Sequence, residues 1–422
     1  MMATETQRTI DAVWRMESAR VIAGLARMVR DVGLAEELAQ DALVVALQQW
    51  PEGGIPANPG AWLMATAKHR AIDHIRRNKR LQAKQEEIGR QFEADQQSAM
   101  PDLDATLDQD VEDDLLRLIF TACHPVLSTE ARTALTLRLL GGLTTDEIAR
   151  AFLVPEPTIA QRIVRAKRTL NEEKVPFEVP RGGELAERLA SVLEVIYLIF
   201  NEGYTATAGD DWMRPTLCEE ALRLGRILAE LAPAEPEVHG LVALMEIQAS
   251  RARARLGPEG EPVLLLEQNR GLWDQLLIRR GLAALERAER LLAQPSSYVL
   301  QAAIAACHAR ARTADETDWR KIASLYSVLG QIRPSPIIEL NRAVAVGMAF
   351  GPAAGLALVD PLVDDPQMQR YHLLPSVRGD FLFKLGRFDE ARREFEHAAS
   401  LTRNAREQTF LQNRARESAA KA

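Results

Sequence analysis

Apolar residues recur at three- and four-residue spacing through most of the chain, the period of an amphipathic helix. No stretch alternates long enough to make a strand. Val21, Ile22, Leu25, Met28 and Val29 form one stripe, and Leu34, Leu38, Ala42, Leu43 and Leu47 form a second, with Asp31-Val-Gly33 as the break between them. Residues 51–60, PEGGIPANPG, read as a loop. Pro59 suits the first turn of a third helix, expected to run to about Arg80 with Leu63, Met64, Ala67, Ala71, Ile72 and Ile75 inward. A second helical block occupies 112–172. A Pro/Gly break near 174–183 follows, and helices punctuated by Pro or Gly then continue to about 413. The expected fold class is all-α, divided into 10–82, a linker over 83–111, a compact block over 112–172, and a long extension over 173–413.

The extension carries a faint internal repeat. Gly379, Ala391, Phe395 and Ala398 fit the small and aromatic positions of a 34-residue helix–turn–helix unit, with Leu385-Gly386-Arg387-Phe388 as its turn. Tyr326, Leu329 and Pro334 fit the end of such a unit about two periods earlier, and residues 340–359 fit loosely. The pattern resembles tetratricopeptide repeats; an irregular helical bundle is the alternative.

Composition changes this picture little, but the distribution of charge changes it more. Of 422 residues, 47% are hydrophobic and only 5% aromatic, as in a helix-rich globular protein. The formal net charge of −7 argues, taken whole, against a nucleic-acid partner. Resolved along the chain it does not: residues 58–80 carry +5, residues 158–170 carry +4, and residues 84–114 carry −9. That acidic, Gln-rich stretch reads as a flexible tether. Cys123, Cys218 and Cys307 lie far apart with no paired spacing, so they read as small buried thiols. The first fifteen residues hold no signal pattern, and the longest apolar run near the middle, Val195–Phe200, is far short of the ~20 residues that span a membrane. A cytoplasmic location with no membrane partner is expected.

Three segments carry chemistry. In the first, Thr144 and Glu147 make a capping box that opens a short helix with Ile148, Ala149 and Phe152 inward; Thr145 follows the cap. After a tight turn, Pro157 starts a helix with Ile159, Ile163, Ala166 and Leu170 on one face. Thr158, Gln161, Arg162, Arg165 and Arg168 lie opposite, with Lys167 among the basic residues. Two short helices with an apolar seam and a basic outer face make a helix-turn-helix, in which Arg and Gln can read guanine and adenine edges. In the second segment, Asn58 and Trp62 precede a basic helix bearing Lys68, His69, Arg70, His74, Arg76 and Arg77, which suits phosphate binding and capture of an unstacked base. In the third, Glu37, Gln40, Asp41, Val44 and Gln48 line one exposed face of a helix beside Leu38.

In this order the segments AEELAQDALVVA, PGAWL…HRAIDHIRR and LTTDEIA…PTIAQRIVRAK resemble the sigma-70 family of bacterial RNA polymerase sigma factors, extracytoplasmic-function class. The resemblance covers about residues 10–172. It implies that Glu37, Leu38, Gln40, Asp41, Val44 and Gln48 bind core RNA polymerase at the clamp helices of its β′ subunit. It implies further that Asn58, Trp62, Lys68, His69, Arg70, His74, Arg76 and Arg77 open and read the promoter −10 element. Thr144, Thr145, Thr158, Gln161, Arg162, Arg165, Lys167 and Arg168 would read the −35 element. The remainder resembles the subgroup with a helical, tetratricopeptide-like extension, which would regulate the factor, with a regulatory protein or peptide as its partner.

Two rival readings belong to other classes. One is a conventional helix-turn-helix regulator with a ligand- or peptide-sensing helical domain, which would leave the Glu37/Asp41 face and the Trp62 helix without a role. The other is a scaffold whose repeats bind peptides. An enzyme is not expected, since the sequence has no Gly-rich phosphate loop, metal-spaced cluster or nucleophile elbow, and no cofactor is implied. Asn201-Glu-Gly-Tyr204 and Gly209-Asp-Asp-Trp212 are read as turns packed between helices, with a ligand pocket as the alternative.

Overall fold

The computed structural model describes residues 5–89, 111–152, 154–205, 213–257, 263–402 and 404–422. Among them the chain is all-α, with no strand. It divides into two compact units, Met1–Ile196 and Tyr197–Ala422.

The first unit begins with α1 (Glu5–Val29), α2 (Val32–Gly53) and α3 (Pro59–Gly89), which pack on one another. Asp31 separates α1 from α2 and caps the latter, its carboxylate accepting the Leu34 N–H at 3.0 Å. The buried face of α2 is Ala35, Glu36, Leu38, Ala39, Ala42, Ala46 and Trp50. The expected stripe is therefore rotated: Leu47 is exposed, and small alanines let α1 and α3 come close. The loop expected over 51–60 is shorter, because α2 carries Pro51 in its last turn, where a missing N–H costs little beside the packing of Trp50. Gly54, at φ +82, then ends it by donating its N–H to the Trp50 carbonyl. Asn58 caps α3, accepting the Ala61 N–H at 3.1 Å, and the α3 backbone stays helical to Gly89, past the expected end near Arg80. Residues 90–110, most of the expected tether, lie outside the described residues.

The next four helices are α4 (Val111–Ala122), α5 (Thr129–Leu139), α6 (Thr145–Phe152) and α7 (Glu156–Glu172). Asp114, counted in sequence with the acidic tether, is buried instead, paired with Arg117 at 2.7 Å and Arg27 of α1 at 3.3 Å. The start of α8 (Gly183–Tyr204) packs on this group: Ser191 donates to the Cys123 carbonyl at 2.6 Å, and Arg188 to that of Phe120 at 2.9 Å. The first unit thus continues past the break near 174–183.

The second unit takes in the last turns of α8 and ten further helices. These are α9 (Pro215–Leu231), α10 (Pro236–Ala249), α11 (Gln275–Leu291), α12 (Ser297–Arg310), α13 (Trp319–Ile332), α14 (Pro336–Phe350), α15 (Pro352–Val359), α16 (Leu373–Lys384), α17 (Phe388–Leu401) and α18 (Ala405–Ala419). From α12 onward most neighbours in sequence pack pairwise. The repeat read from sequence is seen in α16 and α17: Gly386 turns the chain at φ +77, Gly379 lies under the Phe395 ring, and Ala391, Phe395 and Ala398 are buried. Upstream, Leu329 is buried in the core shared by α12, α13 and α14. A notch between Gly347 of α14 and Gly355 of α15 receives the Phe381 ring, where a β-carbon on either glycine would collide with it. All three cysteines are buried. Among the described residues no helix is long and apolar enough to cross a membrane.

Because Phe381 is 3% exposed and fills that glycine notch, Phe381→Ala should destabilise the second unit by about 3–5 kcal/mol. Chemical denaturation of the full chain, followed by far-ultraviolet circular dichroism, measures it.

Candidate nucleic-acid interface

The helix α7 separates its faces as its sequence requires. Ile159, Ile163, Ala166 and Leu170 are buried, sealed against α5 and α6. Thr158, Gln161, Arg165 and Arg168 are exposed, and Arg162 is half-buried. The capping box forms as read: the Thr144 N–H reaches Glu147 Oε2 at 2.8 Å, and the Glu147 N–H returns to Thr144 Oγ1 at 3.2 Å. Arg168 is tied to Glu172 one turn on at 2.6 Å, an exposed pair of small worth that a phosphate can displace. A shallow groove between the N-terminus of α5 and α7 combines the hydrogen-bonding side chains of Ser128, Thr158, Gln161, Arg162 and Arg165 with the acidic Glu130 and apolar residues such as Val126 and Leu127. Val164, 64% exposed on α7, was not singled out by the sequence pattern, which treats valine as core. On a DNA-facing surface its side chain is suited to a thymine methyl group.

One residue of this set points elsewhere. Lys167 ion-pairs with Glu36 of α2, and its ammonium is only partly exposed. The same carboxylate, 3% exposed, also takes Arg138 of α5 at 2.6 Å. In this form Lys167 is therefore a contact between helices and not part of the outward face. The helical period places it a turn along from Ile163, on the edge of the buried face. Further bonds join the same two helix groups: Asn171 donates to Asp31 at 3.0 Å, Arg15 pairs with Glu147, and Arg27 pairs with Asp114. Gly142, at φ +65, brings the turn after α5 against Ser18 and Arg15. Sequence reasoning missed Glu36, Arg138 and Asn171, because adjacent Glu36 and Glu37 look alike until the burial of α2 is known.

On α3, His69, Arg70, Arg76 and Arg77 are exposed, while Lys68 and His74 are half-buried. Trp62 is half-buried and packs edge-on against Trp50, ring centres 5.3 Å apart. Asn58 is exposed, but its side chain is occupied in capping α3.

On α2, Glu37, Asp41, Val44 and Gln48 form an exposed row, whereas Gln40 donates to Glu36. Leu38 departs from expectation: at 7% exposed it is core, so it cannot touch a partner in this form. Its spacing from Ala35 and Ala42 puts it on the inward face. Asp41 and Arg70 pair at 2.8 Å, joining the α2 and α3 faces.

Residues 14–81 match sigma-70 region 2, residues 117–170 match sigma-70 region 4, and residues 188–289 match a family of unknown function. Over 393 residues the chain is 43% identical to an uncharacterized protein of Rhizobium meliloti, covering 93% of this chain and 92% of that one. It is 27% identical over 170 residues to the probable ECF RNA polymerase sigma factor SigI of Mycobacterium tuberculosis, covering 40% of this chain and 57% of that protein. It is 30% identical over 157 residues to the ECF RNA polymerase sigma factor SigK of Mycobacterium ulcerans, covering 36% and 78%.

Glu36→Gln removes the charge that holds Arg138 and Lys167. Amide hydrogen exchange in α7 should rise by about ten-fold while the core of α1–α3 keeps its protection, since an uncompensated ionic contact is lost at this junction alone.

Proposed function

Because the chain belongs to the sigma-70 family, as an extracytoplasmic-function sigma factor with a long helical C-terminal extension, we propose that it directs initiation through three surfaces. The exposed row Glu37, Asp41, Val44 and Gln48 on α2, with Gln40 at its edge, binds the clamp helices of the β′ subunit of core polymerase. The basic face of α3 with Trp62 engages the −10 element, and the outward face of α7 reads the −35 element in the major groove. The factor acts in the cytoplasm, by recognition and melting rather than by catalysis, and the second unit regulates it. The observation that carries this reading is α7, basic and hydrogen-bonding outward and apolar inward, preceded by a formed capping box. A conventional helix-turn-helix regulator leaves the match over residues 14–81 without a role.

The contact at Glu36 adds a requirement. The two promoter elements lie about 25 base pairs apart, roughly 85 Å along B-DNA at 3.4 Å per pair. Helices α2 and α7, joined through Glu36 and Lys167, cannot bridge that span together with their neighbours. The described form is therefore closed. Binding core separates α1–α3 from α4–α7, frees Lys167 for phosphate contact, and makes both surfaces usable at once.

Two outcomes follow. Arg165→Ala should weaken promoter binding by about 1–3 kcal/mol and relax the −35 preference, measured by binding of holoenzyme to promoter variants at fixed salt. A β-carbon built at Gly33 would lie 3.8 Å from that of Lys167, the spacing of a disulfide. With Gly33→Cys and Lys167→Cys, the oxidised chain should support little promoter-directed transcription with core polymerase, and reductant should restore it. Equal activity in the oxidised and reduced states would overturn the closed form. Failure of the unmodified chain to initiate with core would overturn the functional reading itself.

A further inference from the structure

The second unit holds a cluster that promoter recognition does not use. Tyr204 ends α8, Arg251 and Arg255 lie in the turn after α10, Arg270 and Trp273 precede α11, and His308 lies on α12. Two aromatic rings join three arginines. The guanidinium carbons of Arg255 and Arg251 are 3.6 and 5.8 Å from the centre of Tyr204, and those of Arg251 and Arg270 are 5.9 and 4.8 Å from that of Trp273.

Part of this arrangement has a plain structural account. Arg270 closes the end of α12, donating to the carbonyls of His308 at 2.6 Å and Ala311 at 2.8 Å, and to Thr317 Oγ1 at 3.1 Å. Arg255 donates to the Tyr204 carbonyl and to Thr205 Oγ1. Guanidinium groups at helix C-termini are favourable in this way.

Trp273 also packs with Ala254 and Ile278, and His308 lies edge-on to Trp319, but these contacts leave the charges and the ring N–H groups unaddressed. Neither Arg251 nor Arg270 pairs with a carboxylate among the described residues. Glu316 attracts Arg270 through space, but its carboxylate accepts the Arg312 N–H at 2.9 Å. Burial and the neighbouring Arg251 push the pKa of Arg270 down, and burial with Arg251 and Arg270 lowers that of His308 to about 4. Among the described residues, three nitrogens of the cluster are buried without a hydrogen-bond partner: Arg251 Nε, Trp273 Nε1 and His308 Nδ1. The first two can only donate, and Trp273 is 4% exposed. Unsatisfied buried donors are costly, and a positive cluster holding them favours an acceptor that carries negative charge. A neutral ligand would leave the guanidinium repulsion in place, and a cation would add to it.

We propose that the Arg251–Arg270–Trp273–His308 cluster binds the oxyanion of a small molecule, a phosphate or carboxylate group, and so makes the second unit a receptor for an anionic ligand. The oxyanion accepts from Trp273 Nε1 and Arg251 Nε and neutralises the two arginines. Arg251 keeps its bond to the Tyr204 hydroxyl, at 2.6 Å.

The test uses the full chain, with inorganic phosphate and malonate as probes, each against chloride at equal ionic strength. Either probe at a hundred-fold excess over its Kd should raise the melting temperature of the second unit by about 5–10 °C. Which probe does so tells phosphate from carboxylate. Arg251→Gln should weaken binding at least about ten-fold, the scale of one lost charge-assisted bond. Arg223→Gln, on α9 and paired with Glu220 at 2.6 Å, should leave binding unchanged. Independently of any loss-of-binding variant, the Trp273 indole N–H resonance, identified by its loss in Trp273→Phe, should move downfield saturably. No saturable response to either probe, or full affinity in Arg251→Gln, overturns the proposal. Should Arg251→Gln not fold, an unmoved Trp273 signal overturns it alone.

Discussion

Glu36 is a carboxylate held almost out of water between two groups of helices, and much of the first unit is arranged around satisfying it. On α2 it has one polar partner, the Gln40 amide, which is neutral. Its other neighbours there are alanines and Leu38, so the cations that balance its charge come from outside the α1–α3 group. Arg138 and Lys167 supply them from α5 and α7. Removing the partners of a buried charge costs far more than forming the pair gains, so a contact of this kind does not loosen gradually. Either α7 stays against α2, or Glu36 is released to solvent.

That two-state character bears on the proposed DNA binding through Lys167, which can serve only one anion at a time. While it holds Glu36, the outward face of α7 is short by one cation. In the proposed open form it would add a phosphate contact to those assigned to Arg162, Arg165 and Arg168. On that proposal promoter DNA competes with an internal carboxylate, and both contacts weaken with salt, so the balance depends on which is better shielded from water. The Asp41–Arg70 pair contrasts with this. Both partners are largely exposed, so the pair would cost little to exchange for the separate partners proposed for the α2 and α3 faces.

The sequence made faces legible but not neighbours. The inward residues of α7, the capping box and the Gly379–Phe395 repeat all follow from spacing, and the structure has each of them as read. Lys167 faces α2 in this form because it sits at the edge of the α7 stripe, where one step of about 100° decides between core and surface. Leu38, by contrast, is part of the apolar stripe read from the sequence and lies within the buried face of α2. Asp114 was counted with the acidic tether because composition cannot tell a carboxylate in solvent from one paired with Arg27. Asn58 stands between two roles, since a loop residue suited to a base is equally suited to cap the helix it precedes. The Gly347–Gly355–Phe381 notch is set by residues on three helices and has no local signature at all.

The same limit hides the arginine–aromatic cluster, whose members span positions 204 to 308. Its composition is instructive against the chain as a whole. With 59 acidic residues to 52 basic, carboxylates are the commoner partners, and the second unit uses them freely elsewhere, as at Arg378 with Asp360 and Glu394, or Arg414 with Asp380. At Arg270 the partners are carbonyls and a hydroxyl instead, and at Arg251 a tyrosine hydroxyl and two rings. Carbonyl and aromatic partners hold a guanidinium in place without cancelling its charge. A site meant only to lock helices together gains from cancelling it, as the Arg378 and Arg414 pairs do. One that keeps the charge, excludes water and leaves N–H donors unmatched is instead preorganised for an anion supplied from outside.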